Sequence, residues 1–568
     1  MKTKRINKNI FYGISRKYKT FVTIIVVALS ITSCSDVLEE EVYDAFTGDN
    51  FYNSVAAAEQ GLFGIYDALG SRNLYGQYYL LYFQQGSDHS CHWRVDRGFD
   101  DDLLSNYQIE ETNGTINRVW GQIYTAIYNA NTVIDRVTEL RDNANNQSDL
   151  DSYNNVLGDA YFLRGFLYFQ LVKNWGDVPL RLTSDVTLAD LRIERSPAEE
   201  VYAQIEKDML KAIPLLPDAP NVKSVGRISK TAAQGILARV YLYWAGFPLN
   251  NTSKYSEAVK QSLAVIESGQ HRLNMNINKL EVGAPFDGLF PEVFHNLSLN
   301  VYEPRESMWE IHFSYPGESS ADASVVGGWF GITSNTRSIY SRGAPRWYAL
   351  PVFYDSFAEN DSLRRDWSIA TFQINRDNTF TSVARSNNRW SVGKYRRYLM
   401  PQLSPNLNQD AMNWPVIRYA DVLLMYAESV NETLLNGGAL PSGASIESAY
   451  DAVNEVRRRA MGTNSTNAEI DIVGVGGTEF RQQIRDERSW ELCFERVRKP
   501  DLIRWGVLGE TITKTDEAMI EAGFDRKGDY FQADNFEPKH VLLPIPFAGE
   551  ISQNPDILNT DPSNNGYR

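Results

Sequence analysis

Apolar residues recur every three or four positions from about residue 50 to 270. That spacing predicts helices over 50–69, 115–140, 154–175, 197–210, 230–244 and 254–267. In the fifth, Ala233, Leu237, Val240, Tyr241 and Trp244 fall on one face. The run Ser196-Pro197-Ala198-Glu199 reads as a helix start: serine can cap, proline suits the first turn, and an acid follows where a capping box wants it. From about 271 to 410 the helical period fades and Gly, Ser, Asn and Pro rise, with strand-like pieces such as 307–313 between long polar connections. Helical patterning returns over 417–433, 446–461 and 478–498. In the middle one, Ile446, Ala449, Val453, Val456 and Ala460 form the stripe expected to be buried. Thr478 reads as the cap of the last. The C-terminus is punctuated by Pro544, Pro546 and Pro555.

The first 33 residues break this pattern. They carry seven positive charges (Lys2, Lys4, Arg5, Lys8, Arg16, Lys17, Lys19) and no acid, followed by an apolar run over 21–31. That run is too short to span a bilayer, which takes about 20 residues. Basic, then apolar, then small residues describe a secretory signal. Its end, Ile31-Thr32-Ser33-Cys34, resembles a bacterial lipobox, which implies that Cys34 is acylated and becomes the mature N-terminus. The acids that follow, Asp36 and Glu39-Glu40-Glu41, resemble the surface-export signals of some Gram-negative lipoproteins. Loss of 1–33 would shift the net charge from −15 to −22. An acidic chain argues against a nucleic-acid partner. Three cysteines and six histidines rule out a disulfide scaffold and leave little for a metal centre. The lack of Gly-x-Ser-x-Gly, His-Glu-x-x-His and a complete phosphate-binding loop removes the commonest hydrolase and nucleotide signatures.

Five segments, in order, resemble the SusD/RagB family of outer-membrane lipoproteins. They are DAYFLRGFLYFQLVKNWGDVPL at 159–180, WPVIRYADVLLMYAE at 414–428, AVNEVRRRA at 452–460, IRDERSWELCFERVRKPDLIRW at 484–505 and LLPIPFAGEISQNP at 542–555. The stretch 557–567 is more drawn out than the family's usual ending. The pair 230–244 and 254–267, closed by Tyr255-Ser256-Glu257-Ala258, resembles a tetratricopeptide (TPR) unit. The resemblance implies a mainly α fold: a SusD-like helical scaffold with TPR-type helix pairs, decorated by long irregular loops and a few short strands. The expected organisation is a signal peptide at 1–33, a lipidated tether at 34–50, a helical region at 51–270, a loop-rich ligand-binding region at 271–410 and a C-terminal helical region at 411–568. The resemblance also implies function: a non-catalytic glycan-binding protein without cofactor, anchored to the outer membrane at Cys34. It would sit as a lid on a SusC-like TonB-dependent transporter and deliver oligosaccharide to it. A peptide or other nutrient binder on the same transporter, a helical surface glycosidase and a cap without its own ligand are the rival readings.

Sugar recognition asks for flat aromatic faces beside hydrogen-bonding groups that select hydroxyl orientation. Two clusters supply both. The first runs from Gln84 to Arg94; Trp93 is its expected platform, with Asp88 and Arg94 as polar candidates. His89, Cys91 and His92 are too crowded to share one metal ion. Asp96 and Asp100-Asp101-Asp102 lack the alternating oxygens and glycine of a calcium loop and read as a solvated acidic loop. The second cluster is Gly327-Gly328-Trp329-Phe330-Gly331 with Tyr340, Arg342 and Trp347; the family uses this central region for ligand contacts. Lys394, Tyr395 and Arg396 read as framework or rim. Within 485–504, charges at three- and four-residue spacings predict ion pairs along one helix, with Glu491 and Glu495 as framework rather than a catalytic pair.

Overall fold

A computed structural model describes residues 51–83, 85–92, 99–222, 226–274, 292–314, 323–401, 403, 409–463, 465–524 and 532–568. Signal, lipobox and tether fall outside these residues, as do Gln84, Trp93, Arg94 and Asp96. The predicted helices are present with shifted ends: α1 Val55–Gly70, α2 Gly114–Asp142, α3 Gln147–Trp175, α4 Ala198–Ala212, α5 Lys230–Ala245 and α6 Lys254–Glu267. Short polar side chains start four of them. Ser54, Asn113, Asn146 and Ser229 each accept a hydrogen bond from a backbone N–H of the first turn. α2 packs on α3, α3 on α4 and α5 on α6. α3 is buried on every side through residues 156–172, so it is a core rod rather than an amphipathic surface helix.

The α4 start differs from the capping box that Ser196 suggests. Pro197 takes the cap position without a side-chain bond, and the Ala198 N–H donates to Asp177 Oδ1 at 2.7 Å. This gives the Asn-Trp-Gly-Asp-Val-Pro segment a physical reading. Gly176 turns the chain at φ +73°. Asp177 caps the next helix, and Val178 bridges Ser196. The Trp175 indole N–H donates to the Pro544 carbonyl at 2.9 Å, tying α3 to the C-terminal tail.

The C-terminal helices are α7 Tyr419–Leu435, α8 Ile446–Ala460, α9 Gly477–Glu491, α10 Arg498–Arg504 and α11 Leu508–Glu521. α7 packs against α6, α8 and α9 and so continues the helix stack of the N-terminal half. In α8, Ala449, Val453, Val456 and Ala460 are buried as predicted, while Ile446 is half-buried. α9 begins at Gly477 with no side-chain cap from Thr478. The expected helix through 498 is broken. It stops at Glu491; Phe494 and Arg496 then take left-handed backbones at φ +64° and +67° before α10 starts.

Among the described residues, eight short strands complete the fold. β1 Ser90–His92, β3 Trp347–Ala349, β7 Trp390–Val392 and β4 Ile369–Ala370 form an antiparallel sheet in that order. β2 Ser307–Ile311 pairs antiparallel with β8 Trp414–Arg418, and β5 Phe372–Ile374 with β6 Phe380–Ser382. The first sheet takes β1 from the N-terminal region and its other strands from the central one. The second joins the central region to the C-terminal one. Residues Asn53–Arg568 therefore form one compact unit whose sheets cross the regional boundaries read from composition.

The break after α9 is explained by buried charge. Glu491 pairs with Arg418 (3.0 Å), Arg459 (2.7 Å) and Arg364 (3.3 Å). Glu495 takes Arg418 at 2.6 Å and Lys394 at 2.7 Å. Glu306 takes Arg418 at 3.0 Å and Arg459 at 2.7 Å; Glu487 takes Arg364 at 2.6 Å. The predicted ion pairs along one helix are therefore mostly pairs between elements. The i,i+3 pair of Arg504 with Asp501 at 2.9 Å is the local exception in this segment. Burial alone would raise the Glu491 carboxyl; Arg459, Arg418 and Arg364 outweigh it and hold it at about 2. Asp421 and Glu428 sit at about 2 by the same balance, Asp421 against Arg239 and Arg488 and Glu428 chiefly against Arg504.

Two outcomes follow from the network. These carboxylates have folded-state values below their unfolded ones, so their stabilisation is complete above about pH 4.5 and is lost as pH falls toward 2. Acid titration followed by circular dichroism should show cooperative loss of structure within that window. Glu491→Gln leaves buried guanidiniums undercompensated and should cost about 3–5 kcal/mol in denaturant melts. A melt unchanged from wild type would show that the network does not govern stability.

Candidate functional site

β1 and β3 bring the two candidate clusters together. His92 lies opposite Trp347 and Cys91 opposite Tyr348, and the His92 and Trp347 rings meet edge to face at 5.1 Å. From β3 the chain folds back as a two-stranded loop. The Ala344 N–H donates to the Gly328 carbonyl (2.8 Å), Arg346 N–H to Trp329 C=O (2.7 Å), and Ser334 and Gly343 exchange both backbone bonds. The loop is pinned from beneath. Asp410 accepts the Gly328 N–H at 2.9 Å, and Arg397 donates to the Arg342 carbonyl. A side chain at Gly331 would meet the Tyr395 carbonyl oxygen at 2.4 Å, so glycine is required where the loop crosses the framework.

On this loop Trp329 is half-buried, and the Arg346 guanidinium lies over its ring, 4.7 Å from the centroid. The stack occupies one indole face and fixes the plane of this partly exposed ring. Tyr340 is half-buried too, set edge-on to Tyr398 at 5.9 Å and beside Phe380 at 6.1 Å. Those rings belong to a small apolar cluster with Ile332, Ala370, Phe372 and Ile374, which supports the loop from below. Arg342 is half-buried, its backbone held by Arg397. Trp329, Tyr340 and Arg342 thus share one braced loop beside β1. Trp93 and Arg94 follow β1 directly in the sequence and lie outside the described residues.

Two expected contact residues are committed elsewhere. Trp347 is wholly buried at 0% exposure, packed on His92 within the sheet, so its ring cannot meet a ligand in this structure. Asp88 is locked in a two-toothed pair with Arg498, at 3.0 and 2.7 Å. Burial would raise its carboxyl, but Arg498 outweighs this and holds it at about 2. It fastens the β1 approach to α10. His89 stacks on Phe353 at 4.0 Å and meets Ser489 Oγ at 2.8 Å; burial lowers its imidazole to about 3, so it is neutral. His92 sits 3.3 Å from Asp102. No group of three metal-type ligands occurs among the described residues. The acidic stretch is a short helix, Asp100–Ser105, rather than a solvated loop: Asp102 is buried and Asp100 accepts the Gly114 N–H at 2.8 Å. Lys394, Tyr395 and Arg396 are fully buried framework.

Arg346 is the residue that sequence reading passed over. Its signal was present: Arg337, Arg342 and Arg346 are the charged residues of 323–354, where no acid occurs, although acids outnumber bases overall. Their meeting on one loop depends on the backfold, which has no local signature.

The fold and this arrangement define a class. Residues 36–242 match the family described as "Starch-binding associating with outer membrane", and residues 333–567 match the SusD family. The chain belongs to the SusD/RagB family, a family of non-catalytic binding proteins. It is 28% identical to "SusD-like protein P25" of Formosa agariphila over 97% of this chain and the whole of that protein. Among solved structures, a SusD homolog from Bacteroides thetaiotaomicron superposes with a TM-score of 0.81 at 28% identity, over 90% of this chain and 97% of that one. A surface glycan-binding protein A from Bacteroides fluxus shares the fold, with a TM-score of 0.66 at 21% identity over 88% and 96%.

The contrast between the two tryptophans is measurable. Trp347→Ala should cost about 3–5 kcal/mol of stability by opening a core cavity. Trp329→Ala should cost about 1–2 kcal/mol, the loss of a half-buried ring and one cation–π contact. Equal losses in thermal melts would show that Trp329 is packing rather than platform.

Proposed function

We propose that this chain is a cell-surface glycan-binding lipoprotein that captures oligosaccharide and passes it to a SusC-like TonB-dependent transporter, which it covers as a lid. The observation that carries the reading is the braced loop presenting Trp329, Tyr340 and Arg342 beside β1. It is a half-exposed aromatic platform with a guanidinium at hand, on a rigid support. Trp93 and Arg94 extend the same proposal. Family membership supports the reading, as does a shared fold with a protein named for surface glycan binding. One or two aromatic faces contribute on the order of 1 kcal/mol each beyond area burial, so single-site affinity is weak and retention depends on repeated units.

Glu491 and Glu495, the carboxylate pair weighed for a glycosidase, are buried and engaged by four cations. In the membrane-bound form, acylation of Cys34 supplies the anchor. No helix among the described residues is long and apolar enough to cross a bilayer.

The test is a polysaccharide panel set against peptide pools in affinity gels and calorimetry. Retention by a glycan that weakens roughly tenfold in Trp329→Ala, with no release of reducing ends, is the expected result. Retention by peptides alone would transfer the reading to a peptide importer. Cys34→Ser should abolish labelling by palmitate and release the chain from the outer membrane. Co-purification with a large outer-membrane barrel protein should persist in Trp329→Ala.

A further inference from the structure

The candidate loop also carries information on the class of glycan, and this inference rests on the reading just given. Most buried arginines in this protein are matched to carboxylates. Arg364, Arg418, Arg459, Arg488 and Arg504 each engage at least two. Arg337, Arg342 and Arg346 behave differently. No carboxylate stands within ion-pair distance of any of them among the described residues, and no acid occurs between 323 and 354. Arg342 and Arg346 are half-buried rather than waving from the surface. Arg346 is oriented by its stack on Trp329, and the Arg342 backbone is fixed by Arg397.

A guanidinium fixed on an aromatic face, with a second arginine on the same braced loop and neither ion-paired to a carboxylate among the described residues, fits a ligand that supplies the counter-charge itself. Arginine's planar fork matches carboxylate and sulfate geometry with two parallel hydrogen bonds. The chain's overall charge of −15 would repel a polyanion at long range. That repulsion is screened beyond about 8 Å at physiological ionic strength, so the local cations decide binding. We infer that the glycan taken at this loop is anionic: a uronate carboxylate or a sulfate ester engages Arg342 and Arg346 while the sugar ring lies against Trp329. Arg337, exposed at the turn of the loop, extends the same positive edge.

The experiment uses the mature chain and calorimetry with four probes: polygalacturonate and its carboxyl-reduced form, and a sulfated galactan and its desulfated form. Binding to one charged polymer is expected, weakened at least tenfold in its neutralised form and weakened again between 50 and 500 mM NaCl. Which polymer binds separates carboxylate from sulfate. Arg342→Gln and Arg346→Gln should each weaken that binding roughly tenfold, with melting temperatures close to wild type confirming that both variants fold. Arg346→Lys, which keeps the charge but loses the planar fork, should recover only part of it. Equal affinity for charged and neutralised polymers, or full affinity in both Gln variants, would overturn the inference and leave glycan binding intact. Failure to bind these polymers or any neutral glycan would overturn the underlying reading as well.

Discussion

The rest of the structure depends on a desolvated charge lattice centred on Arg418 and Glu491. Both side chains are essentially inaccessible to solvent, and each has several partners of opposite sign: Glu306, Glu491 and Glu495 around Arg418; Arg364, Arg418 and Arg459 around Glu491. Stripping water from an ion costs several kcal/mol, and only close, well-directed partners return it. Every member must therefore be delivered to within about 3 Å of the others. The members come from Glu306 just ahead of β2, from β8, α8, α9 and the turn after it, from the short helix Ser362–Ser368 and from the segment after β7. A lattice with so many contributors has one solution, and it sets how the loop-rich centre joins the C-terminal helices.

The lattice also explains local geometry that would otherwise be unfavourable. A left-handed backbone at a residue other than glycine costs roughly 1–2 kcal/mol. Phe494 and Arg496 both adopt it, on either side of Glu495. The turn lets Glu495 reach Arg418 and Lys394, and its geometry is held by the Tyr395 hydroxyl, which donates to the Phe494 carbonyl at 3.2 Å. From Lys394 the constraint passes outward along the chain. Arg396 lies over Trp367 at 3.8 Å, and Arg397 grips the Arg342 and Gln409 carbonyls. The loop carrying Trp329 and Arg342 is thus braced, through the framework side chains of Lys394, Tyr395, Arg396 and Arg397, against buried charge.

Much of the scaffold was legible because it rests on local signals. Periodicity located the helices, and the motif strings led to the family. What failed were features that depend on distant partners. The residues at 485–504 read as one helix with internal ion pairs, because spacing shows which charges could meet along a helix and nothing of Glu306, Arg364 or Arg418 arriving from outside. Ser196 looked like a cap, but Asp177 took the role from across a turn. Asp88 looked like a loop acid available to a ligand; Arg498, 410 positions away, holds it. Trp347 could be read as platform or core from its flanking residues, and its pairing with His92 decided for core. The site itself was half legible: glycine-flanked Trp329 stood out, whereas its stack with Arg346 required a backfold that no local pattern announces.

The tryptophans of this chain accordingly divide by what their rings touch. Trp120, Trp175, Trp309 and Trp347 are fully interior, and the indole N–H groups of the first three find acceptors in Glu550, Pro544 and Gly226. They fill volume between helices and strands and rigidify the body. Trp329 is held differently, by a cation on one face and a glycine-lined hairpin beneath, and it remains partly exposed. Fixing the ring before a ligand arrives removes part of the ordering entropy that binding must otherwise overcome. In the proposed role as a platform, the ring's small area favours discrimination over tight retention, because misoriented sugars lose the ring contact while correct ones gain only a modest contact energy. Under the proposed function the ligand is released again for import; orientation with weak hold is then the useful combination, and a rigid lattice beneath a shallow aromatic loop is a physical route to it.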